Sequence, residues 1–151
     1  KSFDEPETAP LNNVEWQFQI TDRAPYLITQ SFLPTLKKNQ GQIVFVNSSA
    51  IQKAIPALGQ YSSSKFALKG LADSLREEVN SYRVRVLSIY PGKTATSMQE
   101  KIFLENGNSY RPESLLQPED ISDIIICSLT LPRTAEVTEI YIRPLLKGFE
   151  E

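Results

Sequence analysis

Three side chains in this sequence carry the types and spacing that chemistry needs. Tyr61 and Lys65 are the ends of YSSSK, four residues apart, and a helix would stack them on one face. A free phenol titrates near 10, too high for a proton relay at neutral pH (about 10). A neighbouring ammonium favours the phenolate and lowers that value, so the pair can serve as a tuned acid/base. Ser48 precedes Tyr61 by thirteen residues and follows a short apolar run. From there its hydroxyl could donate to a carbonyl oxygen and stabilise developing negative charge. A phenol, an ammonium and an alcohol together suit reduction of a carbonyl, or the reverse oxidation. The hydride of such a reaction comes from a cofactor, because no side chain carries one.

These residues need elements to bring them together. Leu68, Ala72, Leu75 and Val79 recur at steps of three and four, the stripe of a packed helix, here predicted from about Gln60 to Tyr82. Counting back along the stripe gives Lys65 and then Tyr61. Either the two snorkel at its end or they line a site. IVFV, 43–46, reads as a strand buried on both faces, and VRVLSIY, 84–90, as a second one ended by Pro91-Gly92. Upstream, after a loop to Leu11, Asn12 or Asn13 is expected to cap a helix from Val14 to about Lys38. Pro25 and Pro34 each remove a backbone donor, predicting a break near Ala24 and a bend near Leu33; Gly41-Gln42 ends that unit. A short helix over 96–106 and a loop over 107–117 follow. Pro118 opens a helix to about Leu131, with Glu119 and Asp120 at the positive end of its dipole. Val137 to Arg143 makes the third strand. Alternating helices and strands argue for parallel strands with crossover helices, hence an open α/β sheet. Ligands bind such sheets at the carboxyl ends of the strands, where NSSA and PGKTAT both fall.

Composition narrows the choices. The chain has 151 residues, 40% of them apolar, enough for one domain with a core. A net charge of −2 without a basic block gives no nucleic-acid surface. One cysteine and no histidine exclude a disulfide framework and a serine–histidine triad, and a zinc site would have to rest on carboxylates almost alone. No metal site is expected. Cys127, inside IIICSL, reads as a core residue, and Trp16 as helix packing; the cysteine usage suits a reducing, cytoplasmic setting. No apolar run approaches the length of a membrane span.

VNSSA, then YSSSK at the right gap, then YPGKTAT thirty residues beyond Tyr61, together resemble the short-chain dehydrogenase/reductases, NAD(P)-dependent enzymes of Rossmann type. APYLITQ, SKFALKGLADSLREE and PRTAEVTEIYIRP are similar to a bacterial-type subgroup. The resemblance covers nearly all of the chain. It rests on the joint spacing, since YxxxK alone is common. It implies that Tyr61 is the catalytic acid/base. Lys65 would lower its pKa and hydrogen-bond the nicotinamide ribose, and Ser48 would orient the substrate carbonyl. Ser49 is a rival to Ser48, but the usual gap of thirteen favours Ser48. Pro91 and Gly92 would shape the wall beside the nicotinamide, with Thr94 and Thr96 on its carboxamide or the nearby phosphates. Both threonines could equally be turn hydroxyls. Met98, Ile102, Phe103 and Leu104 could be a substrate lid or plain packing.

The resemblance further implies NADP or NAD, a small carbonyl or alcohol substrate, and a homodimer or homotetramer built on the YSSSK helix and its predecessor. Two departures qualify it. Thr21 stands where the family has an asparagine that helps hold the proton-relay water. The six glycines, Gly41, Gly59, Gly70, Gly92, Gly107 and Gly148, are never closer than eleven residues, so no glycine-rich phosphate loop exists here. The expectation is therefore the C-terminal half of a Rossmann-like, doubly wound parallel sheet, about three strands, lacking the cofactor-loop half and leaving IVFV with an unpaired edge. A non-catalytic binding or assembly module is the alternative. A nucleotide-sugar epimerase or dehydratase shares YxxxK but not PGKTAT.

Overall fold

From Leu11 to Asn39 the chain is helical throughout. It forms α1 (Leu11–Phe18), a π-helical turn (Gln19–Arg23) and α2 (Ala24–Asn39). The computed structural model describes Glu7 and residues 9–146; most of the loop expected before Leu11 lies outside them. The break expected at Ala24 takes the form of the π turn. Pro25 cannot donate to the preceding turn, and the helix widens there instead of stopping, with the Ala24 N–H reaching five residues back to Gln19 O. Pro34 lies inside α2 without ending it. The asparagine cap does not form: Pro10 is the N-cap, with extended ψ of 131°, and both asparagines fall in the first turn of α1. At the other end, the left-handed residue is Gln40 (φ 50°), and Gly41 N–H returns to Leu36 O at 2.8 Å. A Cβ at Gly41 would stand 2.5 Å from Leu36 Cδ2, which can rotate away, and 3.3 Å from Leu36 Cα, so the backbone passes close to α2 here.

The sheet is β1 (Gln42–Val46), β2 (Arg85–Pro91) and β3 (Glu139–Ile142), all parallel, in the order β1-β2-β3. Val44 pairs with Leu87 and Ile89 with Ile140. The long helix α3 (Gly59–Val79) joins β1 to β2, and α4 (Ser97–Glu105) and α5 (Pro118–Leu129) lie between β2 and β3. The predicted stripe holds: Leu68, Ala72, Leu75 and Val79 are buried with Phe45, Val84 and Val86. Arg85 ties the end of α5 down, donating to Leu129 O at 2.8 Å and Leu131 O at 3.1 Å, a cation on the carbonyls that a helix C-terminus leaves free.

Burial separates the strands. Val86 to Tyr90 of β2 are all buried, as expected of a strand with neighbours on both sides. IVFV differs from the reading above. Only Phe45 is buried and Val46 is 54% exposed, because β1 pairs with one neighbour only among the described residues. Cys127 is exposed, not core. The buried residue of this part of α5 is Ser128, whose hydroxyl is satisfied by Ile124 O at 2.7 Å, and that face turns Ile126 and Cys127 outward. Trp16 is likewise exposed, on an α1–α2 flank with Ile20, Ile28 and Phe32. An apolar run marks a potential interface and leaves open which layer covers it.

A polar network fastens α3 to the far strands. Lys69 Nζ bridges Asp73 and the Glu139 carboxylate of β3. Glu139 also accepts from the Tyr90 hydroxyl at 2.9 Å and the Tyr141 hydroxyl at 3.3 Å. Arg76 bonds Asp73, Val86 O and Thr138 O. The Tyr90 and Tyr141 rings stack with centroids 4.4 Å apart.

Candidate active site

The carboxyl ends of β1 and β2 are joined by the Asn47 N–H, which donates to Ile89 O at 2.8 Å. Past Asn47 the chain leaves the sheet through Ser48 and a 3₁₀ turn, Ser49–Ile51. The Asn47 side chain is buried and partnered at both its nitrogen and its oxygen. Its Nδ2 donates to Lys65 O at 3.1 Å, and its Oδ1 accepts the Ser48 N–H at 2.9 Å. One carboxamide thus fixes the position of Ser48 against the start of α3. Sequence reasoning passed over it; the only signal was a polar residue closing an apolar run. Ser62 adds a second tie, its hydroxyl donating to Ala50 O at 3.5 Å.

This clamp brings Ser48, Tyr61 and Lys65 together. The Ser48 hydroxyl accepts the Ala50 N–H at 3.2 Å, which is turn capping, and also hydrogen-bonds the Tyr61 phenol. Ser48 is the serine whose hydroxyl bears on the Tyr61 phenol. Tyr61 and Lys65 are half-buried, and the wholly buried residue of this turn is Ser64. Lys65 Nζ donates to Val46 O at 3.4 Å and lies 5.9 Å from the centroid of the Tyr61 ring.

The electrostatics differ from the spacing argument. Burial pushes the Tyr61 phenol above its ordinary value, and the Ser48 hydrogen bond pulls it partly back. Burial likewise pushes Lys65 below the ordinary lysine value. Both shifts follow from removing charge from water. The net direction at Tyr61 is upward, with Lys65 Nζ 5.9 Å from the ring centroid and donating to the Val46 carbonyl.

Thr21 is buried on the π turn, which packs against α3. Pro91 ends β2, and Gly92 N–H donates to Ile142 O at 2.8 Å. A Cβ at Gly92 would meet Arg143 and Pro144 at 3.2–3.3 Å, so glycine lets the ends of β2 and β3 approach. The Thr94 hydroxyl donates to Gly92 O at 3.0 Å. Thr96 caps α4, accepting the Gln99 N–H at 3.3 Å. Both thus make the local turn contacts that were the plainer reading. On α4, Phe103 meets Tyr110 edge-on at 5.9 Å with Lys93 Nζ 5.4 Å above its ring, while Met98 and Leu104 are exposed. Among the described residues no group of histidine, cysteine or carboxylate side chains could hold a metal ion, and no helix is long and apolar enough to cross a membrane.

Known proteins resemble this chain in sequence and in fold. The sequence profile described as short chain dehydrogenase matches residues 4–107. An uncharacterised oxidoreductase, YciK of Escherichia coli, is 34% identical over 114 residues, 74% of this chain and 43% of that protein. An NADPH-dependent 3-dehydrocapnine reductase of Ornithobacterium rhinotracheale is 34% identical over 107 residues, 68% of this chain and 38% of that one. This chain thus spans less than half the length of either relative. Among solved structures, a short chain dehydrogenase of Escherichia coli complexed with NADPH superposes with a TM-score of 0.80 at 27% identity, covering 92% of this chain and 57% of the other.

Proposed function

Taking as premise that this chain belongs to the short-chain dehydrogenase family, we propose that it is the C-terminal half of a single NAD(P)-binding oxidoreductase domain, in which Tyr61 moves the proton during interconversion of a carbonyl and an alcohol. One observation carries the reading: at the mouth of two parallel strands, the Tyr61 phenol hydrogen-bonds the Ser48 hydroxyl beside Lys65. Burial keeps the proton on Tyr61 at neutral pH, and its release needs the negative charge that develops on the carbonyl oxygen beside it. Ser48, its oxygen held by the Ala50 N–H, can turn its proton to a carbonyl oxygen as negative charge develops there. Asn47 keeps the two in register.

The donor set fits a nicotinamide dinucleotide at one end. Lys65 gives a single 3.4 Å bond to Val46 O, and an ammonium carries three protons, so donors remain for ribose hydroxyls. When bound, the dinucleotide supplies the hydride. Pro91 and Gly92 would wall the nicotinamide side, and Thr94 and Thr96 would reach it by turning their hydroxyls from the turn. The cofactor is NADP or NAD, with a small carbonyl compound or alcohol as substrate and a cytoplasmic setting. Titration calorimetry of the natural protein that carries this chain is expected to show saturable heat with NADPH or NADH. No heat with either would favour the alternative, a non-catalytic module of the same fold, which the local use of Thr94 and Thr96 would suit.

The half-domain reading has its own test. The outer edge of β1 ends in a 54% exposed Val46, and the α1–α2 flank shows Trp16 at 64% and Phe32 at 60% exposure. Unpaired apolar edges template association. The 151-residue chain alone is expected to sediment as a dimer or larger, the family's homodimer or homotetramer using its α2 and α3 faces. A stable, soluble monomer in sedimentation velocity would contradict it.

A further inference from the structure

Gln17 was not singled out by any spacing, yet it links the elements of the site. Its Nε2 donates to Thr21 Oγ1 at 2.8 Å and to Ser64 Oγ at 3.4 Å. Ser64 is wholly buried and donates its own proton to Tyr61 O at 2.8 Å. One carboxamide on α1 therefore reaches both the π turn and the turn of α3 that carries Tyr61. A helical threonine or serine ordinarily turns its proton onto the carbonyl three or four residues back. Ser31, Ser128 and Thr130 do so. Thr21 does not. Its oxygen accepts from Gln17, and its proton goes to none of the described residues, although the side chain is buried. Single π turns gather at functional sites, and this one packs against α3.

We propose that Gln17 is a positioning residue for proton transfer. By donating to Thr21 it holds in place beside α3 a hydroxyl whose own proton is unspent, and by donating to Ser64 it fixes the turn bearing Tyr61. The proposal rests on Tyr61 being the acid/base.

The test uses the natural protein with Gln17→Glu and Gln17→Leu. Glutamate has the same length but cannot donate. It would accept from both hydroxyls, taking up the Thr21 proton and drawing Ser64 away from Tyr61 O. Leucine removes both bonds. Two readouts are taken: kcat and KM for carbonyl reduction, and a ¹³Cζ-tyrosine NMR titration in which Tyr61 is the resonance missing from Tyr61→Phe. Both variants are expected to lose about tenfold to a hundredfold in kcat, as misplacement of a catalytic group does, with KM within about twofold, and to move the Tyr61 titration. A merely structural Gln17 predicts that Gln17→Glu behaves as wild type in both readouts. Either folded variant keeping kcat within about twofold and the Tyr61 titration unmoved overturns the proposal. If the wild type turns over no carbonyl, the acid/base reading fails instead, while the Tyr61 resonance still reports whether Gln17 sets its surroundings.

Discussion

Tyr61→Phe is expected to cut NADPH-dependent reduction across a carbonyl panel by about 10²–10⁴-fold, the usual contribution of a positioned general acid. The substitution removes one oxygen and leaves the half-buried ring, so the Leu68–Val79 stripe and the fold should persist. Ser48→Ala should be milder, since it removes the carbonyl-orienting hydroxyl but not the proton. The pH dependence follows from the Tyr61 environment. Burial raises the phenol, so the proton-donating form dominates through neutrality. Reduction is therefore expected to stay level with rising pH until it passes the ordinary tyrosine value of about 10. Alcohol oxidation needs the phenolate and should climb over the same range. Nicotinamide absorbance in both directions checks this. Undiminished turnover by Tyr61→Phe, or a reduction rate already falling near neutrality, would remove Tyr61 from the chemistry.

Glu139→Leu is expected to destabilise the fold by about 2–3 kcal/mol, read from the urea midpoint. The change takes the carboxylate acceptor from the hydroxyl of the wholly buried Tyr90, leaving it the Ser88 contact, which costs about 1–3 kcal/mol, and leaves Lys69 its Asp73 partner. The ion pair itself adds little, because these side chains are 29–39% exposed. Glu139→Gln keeps an acceptor and should lose about 1 kcal/mol.

The pH signs are opposite at the two ends. Glu139 and Asp73 are held below the usual carboxylate range by the Lys69 contact, against a burial effect that pushes the other way. Their stabilisation is thus present above that range and lost as pH falls through their folded values, so wild type and Glu139→Gln should converge in acid. Burial and Glu139 raise Tyr90 to about 12. The folded protein holds that proton more tightly than the unfolded chain, so stability should decline as pH rises from about 10 toward about 12. Equal urea midpoints for wild type and Glu139→Leu at neutral pH would show that the network carries no stability.

The amino-acid order alone determined which residues face one another along each element. Periods of 3.6 and 2 are local properties of backbone geometry, so the α3 stripe and the three strands were legible in it, and their alternation with helices implied a parallel sheet; the grouping of Ser48 with Tyr61 and Lys65 rested on the family resemblance. Layers and partners were decided only by tertiary packing. An exposed Cys127 and Trp16, a half-covered β1 and the π turn that absorbs Pro25 depend on which surfaces meet, and apolar periodicity does not encode that. The same holds for the electrostatics of the site. A four-residue spacing places Lys65 on the face of Tyr61, but burial and a carbonyl at Val46 decide where the ammonium rests and so which way the phenol shifts. Asn47, Gln17 and Glu139 escaped the sequence because each acts through partners 18 to 70 residues away, and hydrogen bonds of that reach exist only once the chain has folded.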